Sequence, residues 1–142
     1  MATEIKIKNL PEGYQSFITN GKHSIIGDET PNAKGTDLGL NPSELVLAGL
    51  AMCKVTTIRY AARRNGWDIG NVEAKLVQQV KREAQSFVTN VKIQVDIEGN
   101  VTGEQKAALL KQADNCYIHR LLKGEWEIET ARLPAAELKD SE

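Results

Sequence analysis

The segment Leu45-Val-Leu-Ala-Gly-Leu-Ala-Met-Cys53-Lys-Val-Thr-Thr-Ile58 constrains the fold more than any other part of this chain. Asn41-Pro-Ser-Glu44 opens it as a helix. Asn41 can cap, Pro42 suits the first helical position, and Glu44 stands three residues after the cap. The helix is predicted to run to Asn65, where Gly66 stops it. Its end, Arg59-Tyr-Ala-Ala-Arg-Arg64, is basic and complements the negative end of the helix dipole. Its first half is apolar on every face and so should be buried all round. One sheet cannot cover such a helix, which needs a second helix and, beyond that, a second subunit. Dimerisation is thus expected on physical grounds.

The rest of the chain reads as strands and one more helix. Residues 3–8 alternate polar and apolar, as in a half-buried strand, and Leu10-Pro-Glu-Gly13 is a turn. Tyr14–Thr19 and His23–Ile26 form two short strands joined by Asn20-Gly21, a hairpin signal because both residues tolerate positive φ. Gly27 to Leu40 is a long loop, of a length more often functional than idle in a small domain. Asn71–Glu83 and Phe87–Glu98 alternate as two long strands with a short connection. Thr102-Gly-Glu-Gln105 is a capping box that opens a second helix leading to Cys116. Glu125–Thr130 alternates and is expected as a final strand. The order β-β-β-α-β-β-α-β, with antiparallel neighbours, is α+β. One domain over residues 1–133 and a polar tail over 134–142 are expected.

The bulk properties exclude several classes. The 142 residues suit one domain, and 41% hydrophobic with 26% charged residues is ordinary for a soluble protein. The net charge of -1 carries no basic stripe, so no nucleic-acid partner is expected. The apolar run Leu45–Cys53 is short of a membrane span, so no membrane partner is expected. The first residues lack a signal-peptide core, which makes a cytoplasmic protein with reduced thiols the expectation. Two cysteines and two histidines without zinc-ligand spacing suggest no metal and no cofactor.

The residues that carry chemistry are few. Free cysteine is among the most buried residue types, so Cys53 on its own reads as a small core hydrophobe. Burial raises a thiol pKa, and a reactive Cys53 needs a cation or donors nearby. Lys54 adjoins it but points ~100° away on a helix, while Thr56 and Thr57 share its face and could donate. Cys116 is followed by His119 and Arg120. Those two also fit as helix C-terminal caps. Glu44 is accounted for by its capping box, and His23 reads as a structural histidine. If the two thiols meet they form a dithiol site; if not, they are buried hydrophobes. The residues alone leave both readings open.

In order and spacing the motifs resemble the OsmC/Ohr family, the osmotically inducible and organic-hydroperoxide-resistance proteins. The matching residues are His23 with Asp28-Glu-Thr-Pro31, then Gly35 through Asn41-Pro-Ser-Glu-Leu45 to Cys53, then Ile58-Arg-Tyr-Ala-Ala-Arg-Arg-Asn-Gly-Trp67. A second block is Ala113-Asp-Asn-Cys-Tyr-Ile-His-Arg120 with Gly124-Glu-Trp-Glu-Ile128. The resemblance runs to about Leu133 and is nearer the general OsmC-like branch than the Ohr branch. It implies an intertwined homodimer in which a six-stranded antiparallel sheet surrounds two central helices. It implies thiol-dependent hydroperoxide reduction, with Cys53 peroxidatic and Cys116 resolving through an intramolecular disulfide. A dithiol reductant, small or lipoyl-protein, would then reopen that disulfide. Glu44, His119 and Arg120 would support the cysteines.

Two departures from the pattern stand out. Peroxidase members use an arginine from the N-terminal region, and here none precedes Arg59. At the Ohr-type glutamate position this chain has Ser43, with Glu44 one later. A substitute cation would have to be Arg120, Arg59 or a lysine. The alternative function is a dimer of the same fold with little peroxidase activity, holding a small apolar or thiol ligand in the interface pocket. A metal-dependent hydrolase lacks ligands.

Overall fold

The computed structural model describes residues 2–135. Most of the expected tail, residues 136–142, lies outside the described residues. Three short strands open the chain: β1 (Lys6–Asn9), β2 (Ser16–Thr19) and β3 (Ser24–Gly27). They form an antiparallel meander in that order. The Asn20-Gly21 turn closes as its sequence predicts. Asn20 Oδ1 accepts the N–H groups of Lys22 at 2.9 Å and His23 at 2.7 Å, and Gly21 adopts φ 95°. His23 falls in this turn, outside the strand expected for it.

The loop from Gly27 to Leu40 is held by one buried carboxylate. Asp28 Oδ1 accepts N–H groups from Tyr14, Glu29 and Thr36; its Oδ2 accepts the Thr36 hydroxyl at 2.6 Å and the Leu38 N–H at 3.2 Å. The Asp28 pKa is lowered from 3.8 to about 2. The Thr36 hydroxyl is the chief cause and burial opposes it; the N–H groups of Glu29, Leu38 and Thr36 add to the lowering. The loop then runs back along β3, pairing Leu40 with Gly27 in a parallel bridge. A Cβ on Gly39 would overlap the backbone of Ile26, so only glycine fits there. This seam fixes where the long helix starts.

That helix is α1 (Pro42–Asn65), 24 residues long. Asn41 and Glu44 form the complete reciprocal capping box, and Gly66 ends the helix at φ 70°. By length and composition α1 would also suit a membrane span, yet it packs here against further elements of the chain. Two long strands follow, β4 (Ile69–Glu83) and β5 (Ser86–Gly99), paired antiparallel with Leu76 opposite Ile93. Next come α2 (Gly103–Asp114), capped by Thr102 and Gln105, and α3 (Tyr117–Lys123). The core joins Ile58, Ala61 and Ala62 of α1 to Ile69 and Ile97 of the hairpin and Leu109 and Ala113 of α2. Ile58 and Leu109 are fully buried, and each such side chain contributes about 1.5–3 kcal/mol by burial.

The fold is α+β, as expected, and four details differ from the sequence reading. First, the described residues form five strands in two sheets, of three and two strands, in place of one six-stranded sheet. Second, Glu125–Thr130 is not a strand. Its alternation is real, but a strand needs a neighbour to bond with, and none among the described residues pairs with it; Ile128 is 81% exposed. Trp126 is instead hooked back, its indole N–H donating to the Leu121 carbonyl at 2.8 Å. Third, α3 was not expected, and it places His119 and Arg120 inside a helix and not at the end of α2. Fourth, α1 is not buried all round within one chain. Its buried stripe is Leu50, Lys54, Ile58, Ala61 and Ala62, while Val46 is 53% and Met52 67% exposed. A single α2 covers one side of a cylinder, as the packing argument required.

Candidate dithiol site

Cys53 lies midway along α1 and is half-buried. Its Sγ accepts the backbone N–H of Ile118 at 3.4 Å. Ile118 is two residues beyond Cys116, so this bond seats the elbow between α2 and α3 on α1. Cys116 occupies that elbow as the residue capping α3, and it is 2% exposed. The Ile118 bond brings Cys116, two residues earlier, to the part of α1 that carries Cys53. Burial, above all, pushes the Cys116 thiol up; hydrogen bonding and charge from Cys53 push the same way. The His119 backbone N–H and the Lys54 charge pull it down. Cys53 is therefore the more open sulfur and Cys116 the shielded one.

Lys54 is the cation of the site. It is 1% exposed. Its Nζ donates to the Ala113 carbonyl at 3.1 Å and meets His119 Nδ1 at 2.9 Å. An ammonium can only donate, so Nδ1 must accept and the ring proton sits on Nε2. The His119 pKa is lowered, first by burial and then by the charges of Lys54 and Lys123, with Asp114 opposing. The imidazole is thus neutral, as an acceptor must be.

The ~100° offset between Cys53 and Lys54 holds. It turns Lys54 onto the stripe facing α2, where the helix is most buried. Lys54 falls four residues after Leu50 and four before Ile58. That spacing was the available signal.

The other expected residues divide. His119 joins the cluster through its ring. Glu44 is bound in the capping box, its Oε1 accepting the Asn41 N–H at 2.9 Å; no contact within this chain brings it to the cysteines. Arg120 is exposed on α3. Arg59 is committed elsewhere, its Nη1 donating to the Ile69 carbonyl at 3.1 Å. Of the three substitute cations, the lysine is the one beside the thiols. Thr56 and Thr57 do not serve Cys53 Sγ. Their hydroxyls donate back to helix carbonyls, including that of Cys53 at 3.1 and 2.7 Å. His23 is exposed and remote.

A groove of about 380 Å³ runs beside the cluster. Val46, Leu47 and Leu50 of α1 line one wall, Val91 and Ile93 of β5 another, and His119, Leu122 and Lys123 of α3 complete it. Val46 and Leu50 precede Cys53 by seven and three residues, on its own face of the helix. The groove is mostly apolar, with an imidazole and an ammonium at its edge. Among the described residues, no cluster of three or more His, Cys, Asp or Glu could hold a metal ion.

Residues 35–131 match the family model described as OsmC-like protein. No curated protein sequence matches the chain. Among solved structures, the OsmC-like protein of Mycoplasma pneumoniae is similar at TM-score 0.74 and 16% identity, over 87% of this chain and 89% of that one. An organic hydroperoxide resistance protein, OsmC, of Legionella pneumophila is similar at TM-score 0.66 and 20% identity, over 87% and 90%. An organic hydroperoxide resistance protein of Elizabethkingia anophelis gives 0.67 and 18%, over 87% and 91%. At these identities the structures speak for the fold alone.

Proposed function

We propose, from the premise that this chain belongs to the OsmC-like protein family, that it is a thiol-dependent hydroperoxide reductase in which Cys53 reacts first and Cys116 resolves. The observation that carries this reading is the pairing of a half-open sulfur with a buried one across the α1–α3 contact. The Cys53 thiolate attacks one peroxide oxygen, the O–O bond breaks, and the departing alkoxide takes up a proton to leave as alcohol. Cys53 is then a sulfenic acid. Cys116 attacks its sulfur, the S–S bond forms, and the hydroxyl leaves as water with the Cys116 proton. A dithiol, small or lipoyl-bound, reduces the disulfide by exchange. The neighbours named organic hydroperoxide resistance proteins, and the mostly apolar groove lined by Val46, Leu47 and Leu50 of α1, support an organic hydroperoxide as substrate.

The working unit in this reading is a homodimer in the cytoplasm, with no resident cofactor or metal. A second copy would cover Val46, Met52 and Tyr60 of α1, which are apolar and exposed in one chain. An exposed face of that kind marks an interaction surface. Light scattering on the eluting protein should give twice the chain mass; a monomer would remove this part of the reading.

The chemistry is tested by mixing reduced protein with cumene hydroperoxide and counting thiols. Two thiols should vanish per chain. Cys53→Ser should abolish the loss, and Cys116→Ser should leave a sulfenic acid that dimedone traps. Thiols that survive a moderate excess of peroxide would sink the proposal. The groove itself favours the second reading, a binding protein for a small apolar or thiol ligand. Peroxide-inert protein that still binds such a ligand would select it.

A further inference from the structure

Lys54 is buried with only neutral partners, a carbonyl and an imidazole. Among the described residues the one ion pair is Lys81 with Glu83, far along the hairpin. A buried cation is costly unless an anion offsets it. The anion available at this site is a thiolate.

The partners of Lys54 also have a telling position. Ala113 lies three residues before Cys116 and His119 three after. One ammonium therefore grips both flanks of the elbow, the last turn of α2 and the first turn of α3. The same elbow supplies the Ile118 N–H to Cys53 Sγ. Because Lys54 follows Cys53 directly in the chain, its grip ties the resolving segment to the residue next to the reacting one.

We infer that Lys54 is the positioning and charge-balancing residue of the resolving cysteine: it clamps the α2–α3 elbow against α1 and stabilises the Cys116 thiolate at the moment that sulfur attacks Cys53. In the reduced resting state Cys116 is buried and protonated. Its attack on an oxidised Cys53 needs the thiolate, and Lys54 lies where that charge develops. The groups facing Cys116 are Cys53 and Lys54 from α1 and His119 from α3, with Asp114 of α2 and Lys123 of α3 acting on His119. Lys54 is thus the cation assisting the resolving step. The inference rests on reading Cys53 and Cys116 as a redox pair, but not on peroxide being the oxidant.

Ellman's reagent separates the two. Cys53 reacts first and releases one thionitrobenzoate; Cys116 then attacks the mixed disulfide and releases the second, forming the intramolecular disulfide. The second release should slow by about tenfold at neutral pH in Lys54→Met, the loss expected when a developing thiolate gives up its neighbouring cation. Its pH profile should move to the alkaline side, and Lys54→Arg should restore most of the rate. A merely structural lysine would leave the profile where it is. A second release that keeps its wild-type rate and profile in Lys54→Met overturns the inference. Should that variant not fold, His119→Ala decides, because it removes one of the two anchors: slowed closure supports the clamp and unchanged closure overturns it. A wild type that closes with Ellman's reagent but ignores cumene hydroperoxide would count against the peroxidase reading and leave this one standing.

Discussion

Two charges are buried among the described residues, and they are treated in opposite ways. Asp28 in the loop before α1 is enclosed by five donated hydrogen bonds, four of them from backbone N–H groups. Lys54 in the middle of α1 has two acceptors, both neutral. A carboxylate so fully satisfied has nothing left to offer a reaction, and its work is to hold a loop. An ammonium short of a counter-charge can still respond to a neighbour that gains one. Burial alone therefore does not distinguish a structural charge from a functional one; the completeness of its partners does.

The contrast can be broken by mutation. Asp28→Ala should have the largest effect on stability, since it leaves four N–H groups and a hydroxyl without their acceptor. A fall in Tm on the order of 10 °C is expected, and an unchanged Tm would deny Asp28 its structural role. The pH dependence has a defined sign. The folded pKa of Asp28, about 2, lies below the ordinary 3.8. Its contribution is present above pH 4 and is lost as pH falls toward 2. Wild type and Asp28→Asn should therefore converge in urea stability across that window; curves that stay parallel would contradict the assignment.

Thr36→Val should come next. It removes the largest single cause of the lowered pKa, costs about 1 kcal/mol in urea unfolding, and lets the Asp28 carboxyl move up in an NMR titration. Lys54→Met should have the smallest effect, a change of less than about 1 kcal/mol, because replacing a buried charge by an apolar chain of similar length is often neutral or stabilising. A strongly destabilised Lys54→Met would erase the difference between the two charges.

Local signals carried most of the fold. Both capping boxes, the Asn20-Gly21 turn, the Gly66 stop and the long β4–β5 hairpin were legible because each depends on residues near one another in sequence. What failed depended on distant partners. Glu125–Thr130 alternates correctly but finds no strand to pair with among the described residues. His119 and Arg120 also fit as caps of the preceding helix, although Ile118, Leu121 and Leu122 have helical spacing and Gly124 marks the end. At the site, the two cysteines and His119 were legible through motif order. Lys54 adjoins Cys53 in sequence, but its helical direction faces away from that sulfur. That geometry was right; what the sequence could not display was α2 and the α2–α3 elbow lying on the other side.

The hook of Trp126 onto the Leu121 carbonyl has a consequence for observing the molecule. It fastens an indole to the last turn of α3, the short helix whose first turn touches both sulfurs. The other tryptophan, Trp67, packs against the core beyond the end of α1. The chain thus holds two tryptophans, one tied to the helix that follows Cys116 and one packed against the core. Emission from Trp126, read against Trp67→Phe protein, would follow the elbow in real time without an added label.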